Sequence, residues 1–274
     1  MRILVLSSNY PPDLGPGALR AKSIVDALVE EGPSDIKIDV ITTMPNRYHS
    51  ISVFASEYED DNKVSIKRIA LPKHKNGMFD QAKAFVLFSF AVRKLVLQKK
   101  WDIVIASSSR LMTASLATWI AKRTNSKLYL DIRDLFTDTI NNILKKNFLR
   151  VLMPLIYQLE KWTFRSANKL NVVSAGFSDY IRKVAPNSTL STYTNGVDEM
   201  FLKNNFSIKK IKSKPLILYT GNIGDGQGLH KIIPGAANAL KDIQFRLIGE
   251  GSARKLLIDN NLFKLQNNIE ILKP

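Results

Sequence analysis

The chain has no cysteine among its 274 residues, which excludes a disulfide framework and a thiolate metal site and fits a reducing compartment. Long apolar runs are also missing. The longest stretch, Ala82–Leu97, is broken by Lys83, Arg93 and Lys94, whereas a membrane-spanning helix needs about 20 nearly uncharged residues, so none is expected. Met1–Ser7 reads as a short strand entering a loop rich in proline and glycine, not as a secretory leader. Acidic residues are scarce: 24 Asp and Glu stand against 40 Lys and Arg, a net charge of +16. That excess favours an anionic partner, whether nucleic acid, an acidic membrane surface or a phosphorylated small molecule. Zinc-finger spacing, an aromatic RNA-binding octapeptide and a compact basic recognition helix are all absent, so no nucleic acid is expected. What is present is ordinary globular material, 45% hydrophobic and 23% charged.

The pattern of elements is α/β. Ile3–Ser7 reads as a strand, followed by a loop over Ser8–Gly17. Ala21, Ile24, Val25, Leu28 and Val29 then recur on one face of a helix over Ala18–Glu31, which Gly32-Pro33 stops. Strands are predicted over 36–40, 64–71, 103–106, 128–132, 170–174 and 189–193. Helices are predicted over 79–100, 111–123, 148–165 and 176–184. Strands alternating with helices argue for a Rossmann-like domain with a parallel sheet covered on both faces. Residues 1–202 form that domain, and the polar, basic segment 203–214 reads as a linker. Residues 215–274 repeat the unit: strand Leu216–Tyr219, a turn with Gly221, Gly224, Gly226 and Gly228, helix Leu229–Leu240, strand Phe245–Ile248, and a tight turn Gly249-Glu250-Gly251. A doubly wound domain needs about 100 to 150 residues, so the chain is expected to hold one complete domain and part of a second.

In such sheets ligands bind outside the carboxyl ends of the strands, which directs attention to the loops there. Gly15 and Gly17 precede a helix N-terminus, where they either just make the turn or let backbone amides approach a phosphate. Asp131, Arg133 and Asp134 follow a strand. They form a surface ion pair or line an opening, where Arg133 clamps an anion and an acid handles an acceptor hydroxyl. Asn195-Gly196, after another strand, is a strong turn signal by itself.

Four segments in order are similar to the GT-B glycosyltransferases of family 4, in particular the bacterial branch that builds O-antigen and capsule polysaccharides and includes N-acetyl-L-fucosamine transferases. They are SSNYPPDLGPGALRAKSIVDALVEEG, LYLDIRDLF, TNGVDEMF, and LYTGNIGDGQGL with LIGEG. The resemblance implies retaining transfer from a nucleoside-diphosphate sugar, such as UDP-N-acetyl-L-fucosamine, to a lipid-linked oligosaccharide acceptor, without metal or other cofactor. It implies an acceptor-side N-terminal domain and a donor-binding C-terminal one. Donor contacts would fall to Gly15, Gly17, Asn195, Gly221, Asn222, Gly224, Gln227, Gly249 and Glu250, and the catalytic candidates are Asp134, Arg133 and Asp131. Asn222 and Gln227 stand where many members place Arg and Lys, and the family's histidine after the mid-domain strand is replaced by Arg133 or Asp134. The acidic donor motif does not occur before Pro274, so the chain by itself is expected to be inactive.

Two helical regions interleave basic and large apolar residues, Ala82–Lys100 and Leu144–Lys169. Each either packs its apolar face on the sheet or lies on anionic lipid, at the inner face of the cytoplasmic membrane. Two other readings compete with a transferase. A dinucleotide-binding oxidoreductase would use Glu250 on a ribose, but the turn is not G-x-G-x-x-G. A non-catalytic module would bind acceptor or membrane only.

Overall fold

Arg2–Leu6 (β1) carries four successive apolar residues, and Ile3, Leu4, Val5 and Leu6 are all wholly buried. Such a run belongs to a central strand covered on both faces. Strand β1 pairs in parallel with Lys37–Thr43 (β2) on one side and Ile103–Ser108 (β5) on the other. Because side chains alternate along a strand, Ile3 and Val5 pack with Ala21 and Val25 of helix Pro16–Glu31 (α1) on one face. Leu4 and Leu6 point the other way, into a larger core with Phe88 and Val92 of Met78–Val96 (α2), Ala114 and Ile120 of Leu111–Thr124 (α3), and Phe164 of Met153–Arg165 (α4). The computed structural model describes residues 1–13, 15–45, 54–72, 78–108, 110–137, 151–197, 199–203 and 214–273.

The chain divides into units Met1–Val197 and Asp198–Pro274. The first is an eight-stranded sheet in the order β3-β4-β2-β1-β5-β6-β7-β8. It adds Tyr58–Asp61 (β3), Val64–Ile69 (β4), Lys127–Ile132 (β6), Lys169–Val172 (β7) and Thr189–Thr192 (β8). A short helix, Ser178–Val184 (α5), links β7 to β8. Strand order runs outward from β1 through β2 on one side and from β5 on the other, so the topological switch point lies between β1 and β5.

One departure from the predicted pattern is the hairpin β3–β4, antiparallel at the sheet edge. Its outer strand, YEDD, is exposed throughout and has no apolar alternation to betray it; acidic side chains suit an edge, where they oppose further pairing. Helix α4 is described from Met153, and the predicted turn over 148–150 lies outside the described residues, as does 204–213 of the predicted linker.

The second unit opens with a short helix, Glu199–Lys203 (α6), and has a three-stranded parallel sheet, Leu216–Thr220 (β9), Gln244–Ile248 (β10) and Ile269–Leu272 (β11), in the order β11-β10-β9. Helices Leu229–Ala239 (α7), Arg254–Ile258 (α8) and Asn261–Lys264 (α9) complete it. Ile223, Ile233, Ala237, Phe245, Leu247 and Leu257 form its core.

Candidate functional site

At the switch point the loop after β1 is braced from several sides. The Thr43 hydroxyl donates to Ser8 O at 2.9 Å, the Ser8 and Thr113 hydroxyls share a 2.9 Å bond, and Asn9 Nδ2 donates to Asp13 Oδ2 at 2.6 Å. Arg68, buried at the end of β4, donates from Nη2 to Pro11 O at 2.8 Å and from Nη1 to Glu59 Oε1 at 2.6 Å. This scaffold delivers the chain to Gly15, the cap of α1, and to Pro16, whose fixed φ suits the first helical position. No side chain caps the helix start, so its positive end is left to backbone amides and whatever lies beside them.

The neighbour is Arg133. A Cβ built on Gly17 would fall 2.5 Å from Arg133 Nη1 and 2.9 Å from Nη2. The guanidinium therefore rests on the helix backbone at a point where any side chain would displace it. Arg133 itself directly follows the last residue of β6, with its amide on Ser108 O at 3.1 Å. A guanidinium and a helix N-terminus thus meet at the carboxyl edge of the sheet, a combination suited to a phosphate or carboxylate.

One turn further along α1, Arg20 satisfies every donor of its fork. Nε and Nη2 donate to the two oxygens of Asp131, each at 2.7 Å. Nη2 also donates to Tyr193 O at 2.9 Å, and Nη1 to Thr194 O at 3.0 Å and Asn195 Oδ1 at 3.2 Å. The Asp131 hydrogen bonds raise the Arg20 pKa further above its ordinary value. Arg20 thereby ties α1 to the ends of β6 and β8.

This arrangement corrects one expectation. Asp131 is neither a surface partner of Arg133 nor open to a substrate. It is 1% exposed and accepts from Arg20, from Ser107 Oγ at 2.8 Å and from Asn171 Nδ2 at 2.7 Å. A buried carboxylate is tolerated when an opposite charge and hydrogen bonds occupy its oxygens, and Arg20 supplies what the local sequence could not show. Asp134, by contrast, is solvent-reached at the rim; desolvation raises its carboxyl pKa and the Arg133 charge pulls it partly back. The structure therefore brings Gly15, Gly17, Arg133 and Asn195 to the carboxyl edge of one sheet, with Asp134 beside Arg133. Arg20 and Arg68 escaped the sequence reading because a charged residue on a helix or near a strand end looks like solvated surface.

The candidates in the second unit share a local network of their own. Tyr219 Oη donates to Asn222 O at 2.7 Å, while Asn222 Nδ2 and Gly224 N both donate to Gln227 Oε1 at 3.2 Å. Where a diphosphate-gripping pair of cations was the family expectation, two amides close the turn on each other. A Cβ on Gly249 would lie 1.8 Å from Gly221 O, and Ile223 N donates to Glu250 O at 2.8 Å. These glycines thus allow two loops to pack backbone on backbone. The Glu250 carboxylate lies 3.8 Å from Arg254. Among the described residues no three His, Asp or Glu side chains gather as a metal-holding group.

Residues 38–200 match the family described as Glycosyltransferase Family 4. No curated protein sequence matches the chain. Among solved structures, it is similar to sucrose-phosphate synthase from Thermosynechococcus elongatus, with a TM-score of 0.71 at 13% identity, over 100% of this chain and 70% of that one. Anabaena HepE in complex with UDP gives a TM-score of 0.54 at 10% identity over 100% and 69% of the two chains. WaaG, a glycosyltransferase involved in lipopolysaccharide biosynthesis, gives 0.54 at 13% over 99% and 70%.

Proposed function

Since the chain belongs to Glycosyltransferase Family 4, and its α/β architecture matches GT-B glycosyltransferases, we propose that it moves a sugar from a nucleoside-diphosphate sugar to a lipid-linked oligosaccharide in bacterial surface-polysaccharide synthesis. In this reading the donor is a UDP-N-acetyl amino sugar such as UDP-N-acetyl-L-fucosamine, and transfer is retaining and independent of metal, as the family resemblance implies. The observation that carries it is the guanidinium of Arg133 lying on Gly17 at the start of α1. A leaving diphosphate gains negative charge as the glycosidic bond breaks, and a preorganised cation at a helix N-terminus stabilises that charge more than it stabilises the intact donor. Asp134, whose carboxyl pKa is raised by desolvation beside Arg133, is the candidate group in this reading to handle an acceptor hydroxyl.

Neighbouring structures support the choice of substrate class: HepE has been solved with UDP and with UDP-glucose, and WaaG acts in lipopolysaccharide biosynthesis. A lipid-linked acceptor also suits the face built from α2, α3 and α4. Although Phe88 and Val92 pack on the sheet, Phe90 is 60% exposed and Leu155 69% exposed. Arg93 sits over the Trp119 ring at 5.5 Å and Lys122 over Trp162 at 6.0 Å. Exposed apolar side chains interleaved with cations are the composition of a surface that rests on anionic lipid at the inner face of the cytoplasmic membrane, in peripheral contact. Among the described residues no helix is long and apolar enough to cross a membrane.

The test is titration with UDP and UDP-sugars by calorimetry, together with transfer to a lipid-linked acceptor. The expected result is UDP binding that falls in Arg133→Ala, with little or no turnover by residues 1–274 alone. Equal affinity in that variant would refute the role of Arg133, and absence of UDP binding from the wild-type chain would count against the reading as a whole. Turnover by residues 1–274 would overturn the expected inactivity of the chain alone.

A further inference from the structure

Two elements, α1 and the end of β6, meet twice. Gly17 meets Arg133, and one helical turn later Arg20 meets Asp131, two residues before Arg133. Helices and strands are stiff over such short distances, so fixing one contact sets the other. The second contact is the stronger: its donor fork is fully used, its carboxylate is 1% exposed, and Ser107 and Asn171 hold that carboxylate from two further strands. The same fork reaches Tyr193 O, Thr194 O and Asn195 Oδ1 beyond β8.

We propose that Arg20 is the positioning residue of the anion site. Locked on Asp131, it sets the height of the α1 N-terminus against the Arg133 guanidinium and holds the Thr194–Asn195 turn at the same edge. The inference rests on the reading of Gly17 and Arg133 as the diphosphate site, which it extends from the residues that would touch the anion to the one that arranges them. Arginine is required because its planar fork serves five acceptors in fixed directions. Lysine offers three donors from one point and cannot span Asp131 and the carbonyls after β8 together.

Removing Arg20 alone would leave Asp131 buried and uncompensated and endanger the fold. The decisive variant is therefore the double substitution Arg20→Met with Asp131→Asn, which deletes both charges at similar volume, compared with Arg20→Lys and Arg133→Gln. Three measurements are made on the whole chain: the thermal midpoint, the backbone amide resonances of Gly17 and Asn195, and the affinity for inorganic pyrophosphate by calorimetry. The double variant should keep a cooperative melt, shift or broaden both amide resonances, and bind pyrophosphate about tenfold more weakly or worse, the loss expected for one charge-assisted contact. Arg20→Lys should not restore affinity, and adding Arg133→Gln to the double variant should cost little more. Unchanged resonances with unchanged affinity in the double variant would overturn the proposal. The two readings fail differently. If Arg133→Gln binds pyrophosphate as tightly as the wild type, the anion site is wrong, and Arg20 is judged on the Gly17 and Asn195 resonances alone.

Discussion

Replacing Gly17 by alanine should separate stability from binding in opposite directions. The new methyl carbon would lie 2.5 Å from Arg133 Nη1, 2.9 Å from Nη2 and 3.1 Å from Cζ. Carbon and nitrogen cannot approach so closely, but the obstructing atoms are the far end of a flexible side chain, so Arg133 swings away at small cost. The backbone itself gains. Gly17 is a residue of helix α1, and alanine is favoured over glycine in helices by up to about 1 kcal/mol, less in a first turn. Thermal stability should therefore hold or rise slightly. The anion site should suffer, because a displaced guanidinium loses a charge-assisted hydrogen bond, worth about 1.5–3 kcal/mol. At about 1.4 kcal/mol per tenfold, that is roughly a tenfold to hundredfold drop in affinity for UDP or pyrophosphate. The assay pairs calorimetry with thermal melting, and adds the double variant Gly17→Ala with Arg133→Ala. If the alanine acts through Arg133, the double variant should bind no worse than Arg133→Ala alone. A melt lowered by several degrees with affinity intact would show that Arg133 merely packs against α1, and the anion-site argument would fall.

Three further outcomes follow from local features. Glu160 is wholly buried and accepts from Thr137 N at 3.0 Å and from the hydroxyls of Thr137 and Tyr180. Glu160→Ala should cost about 1–3 kcal/mol in urea unfolding by orphaning those donors, and Glu160→Gln clearly less; equal costs would deny the carboxylate its role. Asp134 has a raised pKa, so its proton is bound more tightly in the folded chain than in the unfolded one. Whatever stability it adds is present at acid pH and lost as pH rises through the folded value. The melting temperature of Asp134→Asn relative to wild type should accordingly improve from acid to neutral pH, and a variant that falls further below wild type as pH rises would contradict the sign. At the surface, Phe90→Glu and Leu155→Glu should each reduce sedimentation with anionic vesicles, and salt should do the same, since each basic residue near the lipid contributes about 1 kcal/mol. Equal recovery with neutral and anionic vesicles would remove the membrane from the picture.

The order of elements was legible in the residues because burial imposes periodicity. The unbroken run Ile3–Leu6 announces a strand covered on both faces, and Ala21, Val25 and their neighbours announce the helix face that covers one of them. Glycines between strand and helix marked Gly17 for the same reason: a site that needs a close backbone approach excludes side chains. The hairpin strand Tyr58–Asp61 was invisible, since an exposed edge strand needs no apolar alternation. Register and partnership lay further out of reach. Asp131 and Arg20 are 111 residues apart in sequence, and nothing in either neighbourhood distinguishes a buried ion pair from two solvated charges. Only when parallel pairing sets the ends of β5, β6 and β7 side by side do Ser107, Asp131 and Asn171 face one another, leaving a polar socket that a guanidinium from α1 fills. Local sequence determined which segments could be strand, helix or turn, because those choices depend on near neighbours. The tertiary fold alone decided which charges are buried and paired, because the energy of a buried charge depends on groups that the chain brings together only after it has folded.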